Sequence, residues 1–205
     1  MRITLSFDNG PTPGSTDRIL DLLKERGLRA TFFALGRLAA QPEGRRLLER
    51  AKSEGHWVGN HTMSHGTPLG ESGDPLHVER EIEAAERVLG ELALPERLFR
   101  PNGGGRLGEH LLSAAAREWL VEHKYTVVTW NNVPGDWIEP RRGWVERALK
   151  TAATQDWSLL VLHDPYLAEM MDTLPAFLDE VQRRGGSFRQ DFPPSCILIR
   201  GRSPN

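Results

Sequence analysis

The sequence predicts an α/β fold with a mainly parallel sheet. Short β-rich runs alternate with amphipathic helical patterns along the whole chain, as they do when helices connect parallel strands. No linker or low-complexity stretch interrupts this alternation over the 205 residues, so one domain covering residues 1–205 is expected. In such folds the chemistry lies at the C-terminal ends of the strands.

The β-rich runs are short and dominated by residues that favour strands. They lie at 3–7, 30–35, 125–130, 159–163 and 196–200. The helical patterns cover 15–26, 42–54, 78–92, 108–121, 143–153 and 168–184. In each, apolar residues recur every three or four positions and so fall on one helix face. Examples are Ile19, Leu20, Leu22 and Leu23 in the first pattern, Leu47, Leu48 and Ala51 in the second, and Ile82, Ala85, Val88 and Leu89 in the third. Segments 66–76 and 101–107, rich in Gly and polar residues, predict loops.

Charge and composition exclude several classes of function. With 26 Lys and Arg against 28 Asp and Glu, the net charge is −2, so no nucleic-acid partner is predicted. No apolar run reaches the length of a membrane span. The single cysteine, Cys196, cannot form an intramolecular disulfide and is predicted to be a buried strand residue. The N-terminus lacks a signal-peptide pattern, so a cytoplasmic protein is expected, although removal of a leader would leave the same sequence. The oligomeric state has no signature in the sequence.

Two groups of polar residues in the first third of the chain are candidates for chemistry. Asp8 ends the first run, before Asn9 and a Gly-Pro pair; a simple turn explains it as well as a catalytic carboxylate does. His61 and His65 are four residues apart, a spacing that would put both rings on one side of a helical turn and let them bind one metal ion. A pair of hydrogen-bonded histidines is the alternative.

Three further segments carry candidate residues. Arg100 precedes a proline, which holds it extended, and Gly103 lets a backbone N–H approach an anion; a plain loop with a surface arginine is the alternative. Asp136 lies in a segment that a turn would also explain. His163 ends an apolar strand, as either a general acid or a core histidine would. Singly, each simpler alternative is favoured, but five polar groups at five strand ends form the layout of a barrel active site.

Taken in order, these five segments resemble the motifs of the polysaccharide deacetylase family, also called the NodB homology domain or carbohydrate esterase family 4. The resemblance covers residues 3 to 164. It implies a distorted (β/α) barrel. It also implies a metal-dependent hydrolase that removes N-acetyl groups from polymers of N-acetylglucosamine, such as chitin oligomers or peptidoglycan. The partner of the chain would then be an acetylated amino sugar.

The resemblance assigns a role to each candidate residue. Asp8 matches the catalytic base and Arg100 the arginine that pairs with it, while His163 matches the general acid and Asp136 the carboxylate that supports it. A divalent ion is implied, with zinc expected first and cobalt or nickel as alternatives. The remaining matches are the oxyanion and substrate contacts Gly103, Pro101, Trp137 and Leu162, and the metal ligands His61, His65 and Asn9.

Three positions depart from the family pattern. Asn9 stands where the family has an aspartate as third metal ligand, Gly103 where it has an aromatic residue, and Val133 where it has the first aspartate of the fourth motif. An amide in place of a carboxylate removes one negative charge from the ligand set, so weak metal binding is expected. Two alternatives to N-deacetylation stay open. Asn9 and Gly103 favour a metal-poor, carbohydrate-binding pseudoenzyme, whereas the missing leader pattern fits a small-molecule C–N amidase of the same fold.

Overall fold

The computed structural model describes residues 1–105 and 107–201. Eight strands form one sheet in the order β6-β1-β2-β3-β4-β5-β8, with β7 beside β1. The strand pairs are parallel except β5 and β8, which are antiparallel. The strands are β1 (Arg2–Asp8), β2 (Thr31–Ala34), β3 (Trp57–Asn60), β4 (Leu98–Phe99), β5 (Thr126–Val128), β6 (Trp157–His163), β7 (Ser187–Arg189) and β8 (Ile197–Ile199).

The sheet curls until the segment after β5 returns to β6. Asn132 forms a parallel bridge with Leu160, and the N–H of Val161 donates to the carbonyl of Asn132 at 3.0 Å. This bridge closes the sheet into a distorted barrel and confirms the predicted fold class. Within it, the register pairs Asp8 with His163 on the neighbouring strand, so both residues reach the same end of the barrel.

Helices connect the strands and cover the outside of the sheet. Among the described residues, no helix combines the length and the apolar character needed to cross a bilayer. The α-helices are α1 (Thr16–Glu25), α2 (Gly36–Ala39), α3 (Pro42–Ser53), α4 (Ala84–Leu89), α5 (Ala114–Glu122), α6 (Trp144–Ala152), α7 (Asp164–Leu167) and α8 (Thr173–Arg183).

The largest hydrophobic cluster packs β1 and β6 against α1, α6 and α8. Leu5, Leu20, Leu160 and Phe177 are fully buried in it. The Trp144 ring is also fully buried, and its indole N–H donates to Thr173 Oγ1 at 2.9 Å, which satisfies the one polar atom that this ring brings inside. Because β1 is buried on both faces over nearly its whole length, its C-terminal residues have a well-defined position.

Three strands are absent from the sequence-based prediction. They are Trp57–Asn60, Leu98–Phe99 and Ser187–Arg189, with four, two and three residues respectively. Strands this short contain too few residues to show a two-residue periodicity. The prediction that Cys196 is a buried strand residue was wrong in part, because it is buried but ends a 3₁₀ turn, Pro194–Cys196, just before β8.

Three predicted helices differ from the observed ones. The pattern at 168–184 becomes helical only at Thr173 and ends at Arg183. The pattern at 78–92 contains a π-helical turn (Glu79–Glu83), then α4, then a 3₁₀ turn (Gly90–Leu92). The pattern at 108–121 becomes helical only at Ala114, where Ser113 caps the helix by accepting from the N–H of Ala116 at 3.2 Å.

Candidate active site

A cavity of about 680 Å³ opens at the C-terminal ends of the strands. The five candidate segments all contribute to its lining, as expected where parallel strands end together. Two of the predicted residues, Arg100 and Asp136, lie behind this lining and are fully buried. The predicted residues that line the cavity are Asp8, His61, His65, Pro101, Gly103, Trp137 and His163.

Asp8 is held by a buried arginine. Arg100 Nη1 donates to Asp8 Oδ1 at 2.7 Å and to Ser6 Oγ at 2.8 Å, and Nη2 donates to the carbonyl of Thr129 at 3.2 Å. The guanidinium also lies 4.0 Å from the centre of the Phe33 ring. Burial lowers the pKa of Arg100 and the Asp8 carboxylate opposes this shift. The alternative of a surface arginine was therefore wrong, and the pair fixes the direction of the Asp8 carboxylate.

His163 is held by a second buried carboxylate. Asp136 Oδ1 lies 2.8 Å from His163 Nδ1, and Asp136 Oδ2 accepts from the backbone N–H of His163 at 2.7 Å. Burial by itself would lower the pKa of His163, but the hydrogen bond and charge of Asp136 raise it above the ordinary value. The arrangement favours an imidazolium with its Nδ1–H directed at Asp136, and leaves Nε2 available to a substrate.

His61 and His65 lie close together, but not on a helical turn. The helical geometry expected from their spacing was therefore wrong. Their ring centres are 5.1 Å apart, but Thr62 and His65 have left-handed φ angles of 72° and 59°. Side chains stabilise this turn instead, because Asn60 Oδ1 accepts from the N–H of Thr62 at 2.9 Å and Thr62 Oγ1 from the N–H of His65 at 3.0 Å. His61 and His65 are thus brought together by local hydrogen bonds.

His61 is in the protonation state that a metal ligand needs. Its Nδ1 lies 2.9 Å from the carbonyl oxygen of Arg100, so Nδ1 carries the hydrogen and Nε2 the lone pair. Burial lowers the pKa of His61 to about 4 and also lowers the pKa of His65. Nε2 of His61 lies 3.7 Å from Asp8 Oδ2, which places a free nitrogen beside the free oxygen of Asp8.

The comparisons with known proteins identify the family of the chain. The family model for polysaccharide deacetylases matches residues 1–128. The chain belongs to the polysaccharide deacetylase family. A chitooligosaccharide deacetylase from Bradyrhizobium sp. is 34% identical to it over 80% of this chain and 71% of its own length. A peptidoglycan-N-acetylglucosamine deacetylase from Bacillus cereus is 31% identical over 91% of this chain and 84% of its own length. The solved structure of the Bc1960 peptidoglycan N-acetylglucosamine deacetylase has a TM-score of 0.74 at 26% identity, covering 98% of this chain and 90% of that one.

Asn9 has a buried amide oxygen directly after β1 in this polysaccharide deacetylase. The residue follows β1 with a left-handed φ of 67°, and its Oδ1 is buried without a hydrogen-bond partner among the described residues. A buried amide oxygen without a partner is unfavourable unless an ion or ligand takes that place. Within residues 1–105 and 107–201, no cluster of three or more His, Cys, Asp or Glu suits a metal ion. The residues that could hold a divalent ion are His61 and His65, whose rings meet, and Asn9, whose amide oxygen has no partner among the described residues.

The predicted substrate contacts fall into two groups. Pro101, Gly103 and Trp137 line the cavity, whereas Leu162 lies in the main hydrophobic core. The expectation that Leu162 contacts substrate does not fit this placement. Successive side chains of a strand point to opposite faces, so Val161, rather than Leu162, lines the cavity together with His163. This two-residue period is the signal that would have selected Val161 from the sequence.

Two supporting residues had no recognisable signal in the sequence. Asp164 is fully buried, accepts a close hydrogen bond from the Thr16 hydroxyl, and has its pKa raised by burial to about 7. A Cβ at Gly10 would overlap this carboxylate, which explains the glycine in the turn after Asn9. Arg147 Nη2 donates to the carbonyl of Gly135 at 2.7 Å and so holds the loop that carries Asp136. Neither contact is marked by a motif in the sequence around it.

Proposed function

We propose that this protein is a hydrolase that removes the N-acetyl group from amino sugars, in oligomers or polymers of the chitin or peptidoglycan type. The observation that carries the proposal is the presence of two charged pairs, Asp8 with Arg100 and Asp136 with His163, at one cavity. They supply an oriented carboxylate base and a protonated imidazole acid, the two groups that hydrolysis of an amide requires. The names and similarity of the two curated relatives support the substrate class.

The residues of the chain account for each proton in the reaction. Asp8 takes a proton from water as the water oxygen bonds to the acyl carbon. The carbonyl oxygen gains negative charge, and the N–H of Gly103 donates to it, a type of contact that contributes about 3–4 kcal/mol. His163 then donates its proton to the amide nitrogen as the C–N bond breaks.

Cleavage of the C–N bond first gives a carboxylic acid and the free amine of the sugar, with Asp8 protonated and His163 neutral. The proton on Asp8 and the acidic proton of the product then pass to His163 and to the amine, which leaves a carboxylate and an ammonium group and restores both catalytic residues. Asp136 keeps His163 in its tautomer throughout.

His61, His65 and Asn9 would hold the divalent ion, for which zinc is the first candidate and cobalt or nickel the alternatives. Such an ion polarises the carbonyl group and lowers the pKa of water. Since Asn9 contributes no negative charge, we propose that this ion exchanges readily with solution.

We also propose that residues 1–205 act as one domain and that the protein is cytoplasmic.

The proposed activity is tested by measuring free amine released from chitin oligomers with zinc, cobalt or nickel added. We expect release by the parent protein and none by Asp8→Ala. Asp156→Ala is the matched control, because Asp156 is an exposed carboxylate just before β6, at the opposite end of the barrel. Absence of amine release with all three ions would contradict the proposal.

One observation favours a binding protein, namely the missing carboxylate at position 9. Asn9→Asp separates this function from the first. If the parent and Asn9→Asp are both inactive with added metal while the parent still binds chitin oligomers, the protein binds rather than hydrolyses.

A further inference from the structure

The loop that carries His61 and His65 has a strained backbone. Thr62 and His65 have φ angles of 72° and 59°, in the left-handed region that residues other than glycine rarely adopt, and the cost is greatest for a β-branched residue such as Thr62. A conformation of this kind persists only where the surrounding structure holds it. The contacts that hold residues 60–66 therefore decide whether the two rings stay close enough to share an ion.

Backbone groups of a neighbouring segment hold the middle of this loop. The N–H of Gly36 donates to the carbonyl of Thr62 and the N–H of Arg37 to the carbonyl of Met63, each at 2.9 Å. A Cβ at Gly36 would lie 2.5 Å from Met63 Sδ, so the two segments are in close contact. These bonds fix the middle of the loop and leave the residue before His65 to another partner.

That residue is held by a π-helical turn, Glu79–Glu83. Glu81 Oε2 accepts from the N–H of Ser64 at 2.9 Å, and Glu81 Oε1 accepts from the Ser64 hydroxyl at 2.7 Å. A carboxylate that accepts both bonds fixes the backbone and the side chain of Ser64 together, and bonds to an ionised acceptor are stronger than bonds between neutral groups. Glu81 is thus a charged anchor at the residue next to His65.

The same turn also holds the residue directly before His61. The carbonyl of Ile82 accepts from Asn60 Nδ2 at 2.9 Å, and Asn60 is fully buried. With its amide nitrogen bound in this way, Asn60 directs its Oδ1 at the N–H of Thr62. π-Helical turns are uncommon and often lie beside functional sites. Here two consecutive residues of one such turn, Glu81 and Ile82, hold both ends of the loop between the histidines.

Glu83 has the same chemistry on the same turn but a different partner. It accepts from Arg87 Nη1 at 2.7 Å, one helical turn further along the chain. Both side chains are accessible to solvent, and surface ion pairs of this kind contribute about 0–1 kcal/mol. Glu81 differs from Glu83 because its partner belongs to the loop of the proposed metal ligands and not to its own helix.

We infer that Glu81 is a positioning residue, which holds His65 in the orientation in which it binds the same ion as His61. The inference rests on the proposed role of both histidines as ligands. Without the carboxylate, the N–H and the hydroxyl of Ser64 lose their common partner, and the left-handed backbone at His65 loses its anchor. Binding of an ion then requires the ring to be ordered first, which lowers the affinity.

The test compares zinc affinity, measured by calorimetry, in the parent protein and three variants. Glu81→Ala is expected to raise the dissociation constant by about tenfold, the lower end of the effect of losing an outer-shell partner. Glu81→Gln keeps an oxygen that accepts from the N–H of Ser64 and should retain most of the affinity. Glu83→Ala is the matched control and should leave the affinity unchanged. Equal affinity of Glu81→Ala and the parent overturns the inference. A loss in Glu81→Gln as large as in Glu81→Ala also overturns it, since charge and not position would then matter.

Hydrogen exchange separates this inference from the proposed metal site, because it needs no ion. In the metal-free protein, the amide hydrogens of Ser64 and His65 should exchange faster in Glu81→Ala than in the parent, and at the parent rate in Glu83→Ala. Zinc binding by the parent, combined with unchanged exchange in Glu81→Ala, overturns the positioning role alone. A parent protein that binds no zinc overturns the metal site and the inference with it. If Glu81→Ala does not fold, Ser64→Ala removes one of the two bonds from the other partner and should weaken zinc binding in the same direction.

Discussion

Two groups of residues at the site differ in their electrostatics: the proposed acid–base half (Asp8, Arg100, Asp136, His163) and the proposed metal half (Asn9, His61, His65). In the first, each reacting group is bonded to an opposite charge, at 2.7 Å for Asp8 and 2.8 Å for His163. In the second, the Asn9 oxygen has no partner among the described residues and the His61 pKa is about 4. The acid–base half therefore carries its own countercharges. The metal half presents only neutral donors, and we propose that it depends on an ion supplied from solution.

The largest effect is expected for Asp8→Asn, which breaks the acid–base half. It removes the base and leaves the buried Arg100 without its countercharge. We expect kcat for amine release to fall by a factor of about 10²–10⁴. The free energy of unfolding, measured in urea, should fall by about 3–5 kcal/mol. Asp156→Asn is the control, and unchanged stability of Asp8→Asn would contradict the buried pair.

Asp136→Asn should have the next largest effect. Because Asp136 raises the pKa of His163, the variant should lower that pKa. A general acid is lost as the pH rises through its pKa, so the alkaline limb of the kcat profile should move to lower pH. We expect kcat at its optimum to fall by a factor of about 10². Titration of His163 by NMR measures the pKa directly, and an unmoved alkaline limb would remove His163 from the role of acid.

Asn9→Asp should strengthen metal binding, because it adds a negative charge to the metal half. Both halves of the site would then contain a carboxylate. The dissociation constant for zinc, measured by calorimetry, should fall by at least about tenfold, because ligand charge tunes metal affinity. Asn131→Asp adds the same charge elsewhere in the cavity and should tighten zinc binding much less. Equal effects of the two variants would show that Asn9 is not a ligand.

Thr62→Ala should have the smallest effect of the series. It removes the hydroxyl oxygen that accepts from the N–H of His65, so the turn between the two histidines becomes less well defined. We expect the free energy of unfolding to fall by about 0.5–1.5 kcal/mol and zinc affinity to weaken by a few-fold. Thr154→Ala, which removes an exposed hydroxyl bonded to the carbonyl of Thr151, is the control and should leave zinc affinity unchanged.

The sequence predicted the meeting of Asp8 and His163 better than the contacts that support them. Asp8 and His163 each end a predicted strand, and parallel strands bring their ends together, so their meeting follows from topology. The supporting contacts made by Ser6 with Arg100 and by Arg147 with the 134–138 loop arise only when separate segments pack. No pattern in the sequence marks either of them.

The local geometry was predicted less well than the residues themselves. The spacing of His61 and His65 indicated a helical turn, but two left-handed residues and side-chain bonds from Asn60 and Thr62 produce the same proximity. The spacing of the two histidines cannot distinguish a helical turn from this hydrogen-bonded turn, because either one brings both rings to the same side of the chain. At β6, attention to the run of leucines selected Leu162, whereas strand alternation selects Val161.

The central claim is that the metal half, having only neutral donors, holds its ion weakly. The most direct test is amine release from a chitin tetramer, measured before and after dialysis against a chelator. We expect dialysis to abolish activity and added zinc to restore it within the assay, with no stoichiometric ion retained by the parent protein. Activity that survives dialysis, or an ion that stays bound at one per chain, would contradict weak binding of the ion by a metal half with only neutral donors.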